Sequence, residues 1–166
     1  MLNRNLLYII FIISISIINS NCVSVGIETP QTTKAQNVIF KPPSYFSELV
    51  QPYLDAAWKN DANGNTISFL SECDSATDPT HETIRDGIIA GLRNSNILSN
   101  DYIPLSKRNA LKSVVTGSVD GVKTKLEIVV LKKNNCIYIL TYVGLQEKFN
   151  DDLDAFAEFL KEFKVP

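Results

Sequence analysis

The sequence predicts an α/β domain, mainly an antiparallel sheet flanked by helices, behind an N-terminal signal peptide. Three observations carry that prediction. Short alternating apolar runs separated by turn residues fill the stretch from Val38 onward. Two segments, around Ile84 and around Phe156, instead repeat their apolar residues at helical spacing. The residues before Cys22 run in the charged, apolar, polar order of an export signal.

The chain has 166 residues, 45% of them apolar and 20% charged, with a net charge of -2. These values describe one ordinary globular domain. The apolar content is too high for disorder, and the charge is too small and too mixed for nucleic-acid binding. One histidine leaves little room for a multi-histidine metal site, and no glycine-rich phosphate loop is present, so no cofactor and no metal are expected.

Residues 1–21 form the predicted signal peptide: Arg4, then the apolar run Leu6–Ile18, then Asn19-Ser20-Asn21. The run, about 13 residues, is shorter than the roughly 20 that span a bilayer as a helix. The stretch from Asn19 to Cys22 admits two readings. Cys22 stands where a lipoprotein cysteine receives its diacylglyceryl group, with acyl chains such as palmitate, and Ser20 suits the second position before it. Asn19 and Asn21 depart from the usual Leu and Gly or Ala. The alternative is cleavage after Ser20, which releases a secreted protein with an odd thiol. Residues 22–37 then form the lipid-attachment cysteine and a flexible tether rich in Ser, Thr and Gln. Loss of Arg4 with the leader leaves 15 of the 16 basic residues against 18 acidic ones. Membrane association is therefore expected from acyl chains and not from a basic face.

Residues 38–166 are read as a single domain. Val38-Ile39-Phe40 is extended and stopped by Pro42-Pro43. Leu54–Lys59 and Thr66–Cys73 are strands joined as a hairpin through Asp61-Ala62-Asn63-Gly64-Asn65. A helix comes next, with Asp78 as cap, Pro79 in the first position and Glu82 at the positive end of the dipole. Ile84, Ile88 and Leu92 form its apolar stripe, with Arg85 exposed, and Gly87 and Gly91 predict a close approach of its backbone to the sheet. Ile97-Leu98 and Tyr102–Leu105 give a short strand. Ala110–Val119, Val122–Lys132 and Cys136–Val143 then form a three-stranded meander turned by Asp120-Gly121 and Asn134-Asn135. The middle strand splits Leu126, Ile128 and Val130 from Val129 and Leu131; the last is apolar on both faces and reads as central. A closing helix is capped by Asn150, carries Asp151, Asp152 and Asp154 in its first turn and Lys161 and Lys164 near its end, and docks Leu153, Phe156, Phe159, Leu160 and Phe163 on the sheet.

Few residues invite chemistry. With Cys22 committed to lipid, Cys73 and Cys136 remain to form one bridge in an oxidising compartment; separately buried thiols are the other reading. His81 falls at a polar helix end with no nucleophile motif nearby, and the Asp61–Asn65 turn lacks the glycine position and final Glu of a calcium loop. The acids Asp151, Asp152 and Asp154 suit helix-start electrostatics. Trp58, Tyr138 and Tyr142 are sheet residues first and ligand-stacking residues second.

Ala57-Trp58-Lys59-Asn60, Asn63–Phe69, Ser71-Glu72-Cys73, Val119–Val122, Lys132–Tyr138 and Phe159–Phe163 carry a resemblance over nearly all of residues 40 to 164. On them the chain resembles small uncharacterised bacterial envelope lipoproteins, and its element order looks like the α/β/α sandwich of the PsbP and Mog1 proteins. The resemblance implies a binding or assembly module without catalysis. The expectation is thus a lipid-anchored accessory protein of the bacterial envelope with a protein partner. The alternative is a periplasmic carrier with a small ligand between sheet and helix; an apolar cavity at Trp58, Tyr138 or Tyr142 distinguishes the carrier, a filled core with an exposed apolar patch the accessory module.

Overall fold

The computed structural model describes residues 33–166, so the predicted leader and Cys22 lie outside the described residues. Seven strands form one sheet: β1 (Ser47–Glu48), β2 (Ala56–Lys59), β3 (Thr66–Cys73), β4 (Arg93–Leu105), β5 (Arg108–Val119), β6 (Val122–Lys133) and β7 (Cys136–Leu145). The order across the sheet is β1-β2-β3-β7-β6-β5-β4, and every neighbouring pair is antiparallel. Helices α1 (His81–Ile89) and α2 (Leu153–Glu162) cover opposite faces.

Alternation along β6 explains how one strand serves both faces. Ile128 and Val130 join Ile84, Ile88 and Ile89 of α1, while Val129 and Leu131 join Phe156 and Phe159 of α2. Burial on both sides is why β7 reads as a nearly continuous apolar run. Among the described residues no helix is long and apolar enough to cross a membrane.

The meander has four strands instead of the expected three. Three two-residue turns join β4 to β7, each with both residues at positive φ: Ser106-Lys107 (47° and 64°), Asp120-Gly121 (49° and 83°) and Asn134-Asn135 (52° and 59°). That is the hairpin geometry Asn and Gly favour, so the second and third are legible in the sequence and the first is not. Ser106 is held there by a tertiary contact: its hydroxyl donates to the Phe163 carbonyl and accepts from the Val165 N–H, both at 3.1 Å. β4 is correspondingly 13 residues long. Its Ser99-Asn100-Asp101 stretch resembles a turn, but at a sheet edge such residues face water, and register shifts at Arg93/Asn96 and Ile97/Ser99 absorb the irregularity.

Other boundaries move for local reasons. Ile39 makes an isolated bridge to Lys164 in place of the expected strand, and β2 begins at Ala56. The chain already lies along β3 at Thr33, whose backbone exchanges bonds with Cys73 at 3.2 and 2.8 Å. Thr80, not Asp78, caps α1 by accepting from the Thr83 N–H at 3.1 Å; Asp78 pairs with Lys132. Leu92 lies beyond the helix end yet completes its stripe.

Two expectations for α1 fail. A Cβ at Gly87 or Gly91 meets open space; the tight approach is at Gly117, where a Cβ lies 3.0 Å from that of Leu92. Arg85 is buried, because its guanidinium turns back over β4 to donate to Asn100 at 2.8 Å and to Asp86 at 2.7 and 2.9 Å. At the other helix, Asn150 does not cap. A 3-10 turn, Phe149–Asp152, leads into α2, and Asp152 at the cap position makes no capping bond because its carboxylate is engaged elsewhere.

Candidate interaction surface

Cys73 and Cys136 face each other across β3 and β7 and are joined as a disulfide. The bridge closes a loop of 63 positions, which the chain-entropy model values at about 4 kcal/mol. Thr33 pairs with Cys73 on its other side, so bridge and chain entry lie at one end of the sheet.

The three aromatic candidates are buried beneath α2. Trp58 packs on Phe40 and Phe159 with ring centroids 5.6 and 5.5 Å apart, and Tyr142 packs on Phe149 and Phe156 at 4.8 and 5.7 Å. The Tyr142 hydroxyl donates to the Phe149 carbonyl at 2.7 Å, which satisfies the one polar atom that burial strands. Tyr138 lies beside Phe163 at 6.3 Å. Three surface hollows of about 390 to 540 Å³ are lined by other residues.

His81 stacks edge-on against Tyr102 at 5.7 Å, and burial, aided by Lys132, pushes its pKa below 6.5. Among the described residues its buried Nε2 has no hydrogen-bond partner.

The β2–β3 turn and the acids before α2, read separately in the sequence, form one structure. Asp152 is buried and accepts from Asn60 at 3.0 Å, Asn63 at 2.7 Å and Asn65 at 2.8 Å. Asn65 also donates to the Lys148 carbonyl at 2.9 Å. The carboxylate therefore ties the hairpin tip to the start of α2, and its amide partners leave no cluster of anionic ligands. Among the described residues no three of His, Cys, Asp and Glu converge as a metal site would need.

What remains open is the outer edge of β4. It is the last strand in the sheet, so among the described residues one row of its backbone N–H and C=O groups has no strand partner. Ile97, Leu98 and Tyr102 are exposed along it by 39, 53 and 54%. At 13 residues it is far longer than β1 at the opposite edge, which has two. Long exposed edges are templates for another strand, and proteins ordinarily blunt them. Here Pro104 and the Arg93/Asn96 register shift lie toward the ends, the Ile97/Ser99 shift falls at Leu98 in mid-strand, and Glu82 holds the Tyr102 hydroxyl at 2.9 Å, fixing that ring beside the strand. The sequence places strand character at Ile97-Leu98 and Tyr102 but not the continuity between them, which is what makes the edge.

Seven antiparallel strands with one helix on each face decide the architecture. The domain has a PsbP-like fold. It is similar to the solution structure of cyanobacterial PsbP (CyanoP) from Synechocystis sp. PCC 6803, with 12% identity, coverage of 89% of this chain and 99% of that one, and a TM-score of 0.52. It is also similar to LpqN of Mycobacterium tuberculosis, described as involved in cell envelope biogenesis (13%, 84% and 87%, 0.58). A third neighbour in fold is PA94 of Pseudomonas aeruginosa, a protein of unknown function (13%, 82% and 86%, 0.51). No family model and no curated protein matches the chain. At these identities the likeness is one of fold.

Proposed function

We propose that this protein is a non-catalytic envelope lipoprotein, anchored through Cys22, that binds a partner protein by adding an extended segment of it to the edge of β4. The observation that carries the reading is the 13-residue open edge with Ile97, Leu98 and Tyr102 exposed along it. Strand addition draws affinity from main-chain hydrogen bonds and specificity from alternate side chains. An envelope location is supported by the export-signal layout before Cys22 and agrees with the description of LpqN.

The carrier reading has less support, because rings of Trp58, Tyr138, Tyr142 and α2 occupy the volume a ligand needs. Mass spectrometry of the protein from its own host separates the two. The accessory reading expects a mature chain beginning at Cys22 with acyl chains and no small molecule in the native spectrum. An unmodified chain with a stoichiometric ligand overturns it.

A further inference from the structure

We infer that the end of the sheet where the chain enters the domain is a membrane-facing surface that engages anionic lipid headgroups. The inference rests on the anchoring of Cys22 proposed above. A net charge of -2 conceals how the cations are placed. The turns Ser106-Lys107 and Asn134-Asn135, the last turn of α2 and the segment after it all meet at this end. They bring Lys107, Arg108, Lys132, Lys133, Lys161 and Lys164 together.

A hollow of about 540 Å³ lies among them. Its lining side chains include Lys107, Lys133, Lys161 and Lys164 and no carboxylate, while Leu160 and Phe163 contribute apolar surface. Lys133 donates to the Ser106 and Val165 carbonyls at 3.3 and 2.9 Å and, among the described residues, has no acidic partner. Among the described residues no carboxylate side chain pairs with Lys107, Arg108 or Lys164. The acidic side chains at this end are Glu72, Asp74 and Asp78, with Glu158 and Glu162 on the last turns of α2. Asp78 is paired with Lys132, and Asp74 accepts from Thr33 and Asn135. Lys161 has an exposed partner in Glu158 at 3.7 Å.

The position of the anchor selects the occupant. Thr33 is bonded to Cys73, which is bonded to Cys136 beside Lys133, so the first described residue lies at the basic end. From Thr33 back to Cys22 an extended chain reaches at most about 40 Å. An acyl anchor there presents this end to the headgroups first. Asp61, Asp120, Asp151 and Asp154 lie toward the other end of the sheet or at the start of α2. Screening over roughly 8 to 10 Å keeps distant acids from cancelling the basic end and leaves repulsion to orient the domain.

The test uses the full mature chain carrying Cys22→Ser, so that lipid attachment contributes nothing, with co-sedimentation on vesicles. One set is pure phosphatidylcholine and the other contains one-third phosphatidylglycerol. The expected result at low salt is a severalfold preference for the anionic vesicles that disappears at high salt. Lys107→Glu with Lys164→Glu should lower anionic binding by about tenfold. Lys123→Glu with Lys148→Glu, at the opposite end, should not. Equal binding to both vesicles, or equal loss in both double variants, overturns the inference. Failure of the anchoring itself shows separately, as an unmodified Cys22 in protein from the host.

Discussion

Asn65 donates its side-chain amide to Asp152 at 2.8 Å across 87 positions of sequence. Both residues are buried, and the same carboxylate takes amides from Asn60 and Asn63. A buried carboxylate costs several kcal/mol to desolvate unless its lone pairs are filled, and three amides fill them.

Removing that carboxylate strands the amides as well. Asp152→Ala should lower unfolding free energy by about 2 to 4 kcal/mol, measured by denaturant titration. Asp154→Ala, two residues on and exposed, should cost less than about 1 kcal/mol. Equal effects would mean that the acids serve only the helix dipole.

Gly144 makes room for Asn65. A Cβ at that position would lie 2.0 Å from the Asn65 Oδ1. Gly144→Ala is expected to cost about 2 kcal/mol or more, and combination with Asn65→Ala should cost at least about 1 kcal/mol less than the sum of the two. Additive losses would place the strain elsewhere.

The bridge between Cys73 and Cys136 contributes through the unfolded chain. Cys73→Ala with Cys136→Ala should lower stability by up to about 4 kcal/mol, and thiol labelling of the denatured, unreduced protein should find neither cysteine free. Labelling of both would contradict the pairing.

Burial raises the pKa of the Tyr142 phenol well above its ordinary 10.0, with Asp152 adding to the effect. The folded state therefore holds the proton more tightly than the unfolded chain, and stability should be full below pH 10 and fall as pH rises above it. Tyr142→Phe should be less stable at neutral pH by about 1 kcal/mol through loss of the bond to Phe149, yet show a shallower alkaline decline. An unchanged slope would assign the decline to other groups.

The two faces of α1 can be separated in the same way. Ile88→Asp should destabilise by about 3 kcal/mol or more, since it places a charge in the cluster with Ile128 and Val130. Arg85→Ala should also be costly, about 1 to 3 kcal/mol, because it removes the guanidinium donor from the Asn100 Oδ1, which then keeps only the Ser113 hydroxyl. Both are measurable by thermal or urea unfolding; a neutral Arg85→Ala would show that burial of the guanidinium contributes nothing.

Legibility tracks locality. Asp120-Gly121 and Asn134-Asn135 announce their hairpins because the turn geometry is chosen by the residues themselves. Phe156, Phe159 and Phe163 announce a docked helix face because their spacing is a property of one segment. Ser106-Lys107 is hidden because its geometry is held by Phe163 and Val165, more than 50 positions away. Arg85 and Asp152 mislead for the same reason: each looks like a surface charge until a distant Asn becomes its partner. The β4 edge is half legible. Ile97, Leu98 and Tyr102 suggest a strand, while Ser99-Asn100-Asp101 suggests a turn, and only the sheet order shows that the polar residues face water at an edge.

The central claim is that β4 is where a partner binds, and the most direct measurement is cross-linking in the host cell from a photoreactive residue replacing Leu98. The account predicts one discrete protein adduct, lost when Ile97→Lys is added and absent when the photoreactive residue replaces Val122 at the β5–β6 turn. No adduct at Leu98, or the same adduct from both positions, would contradict it.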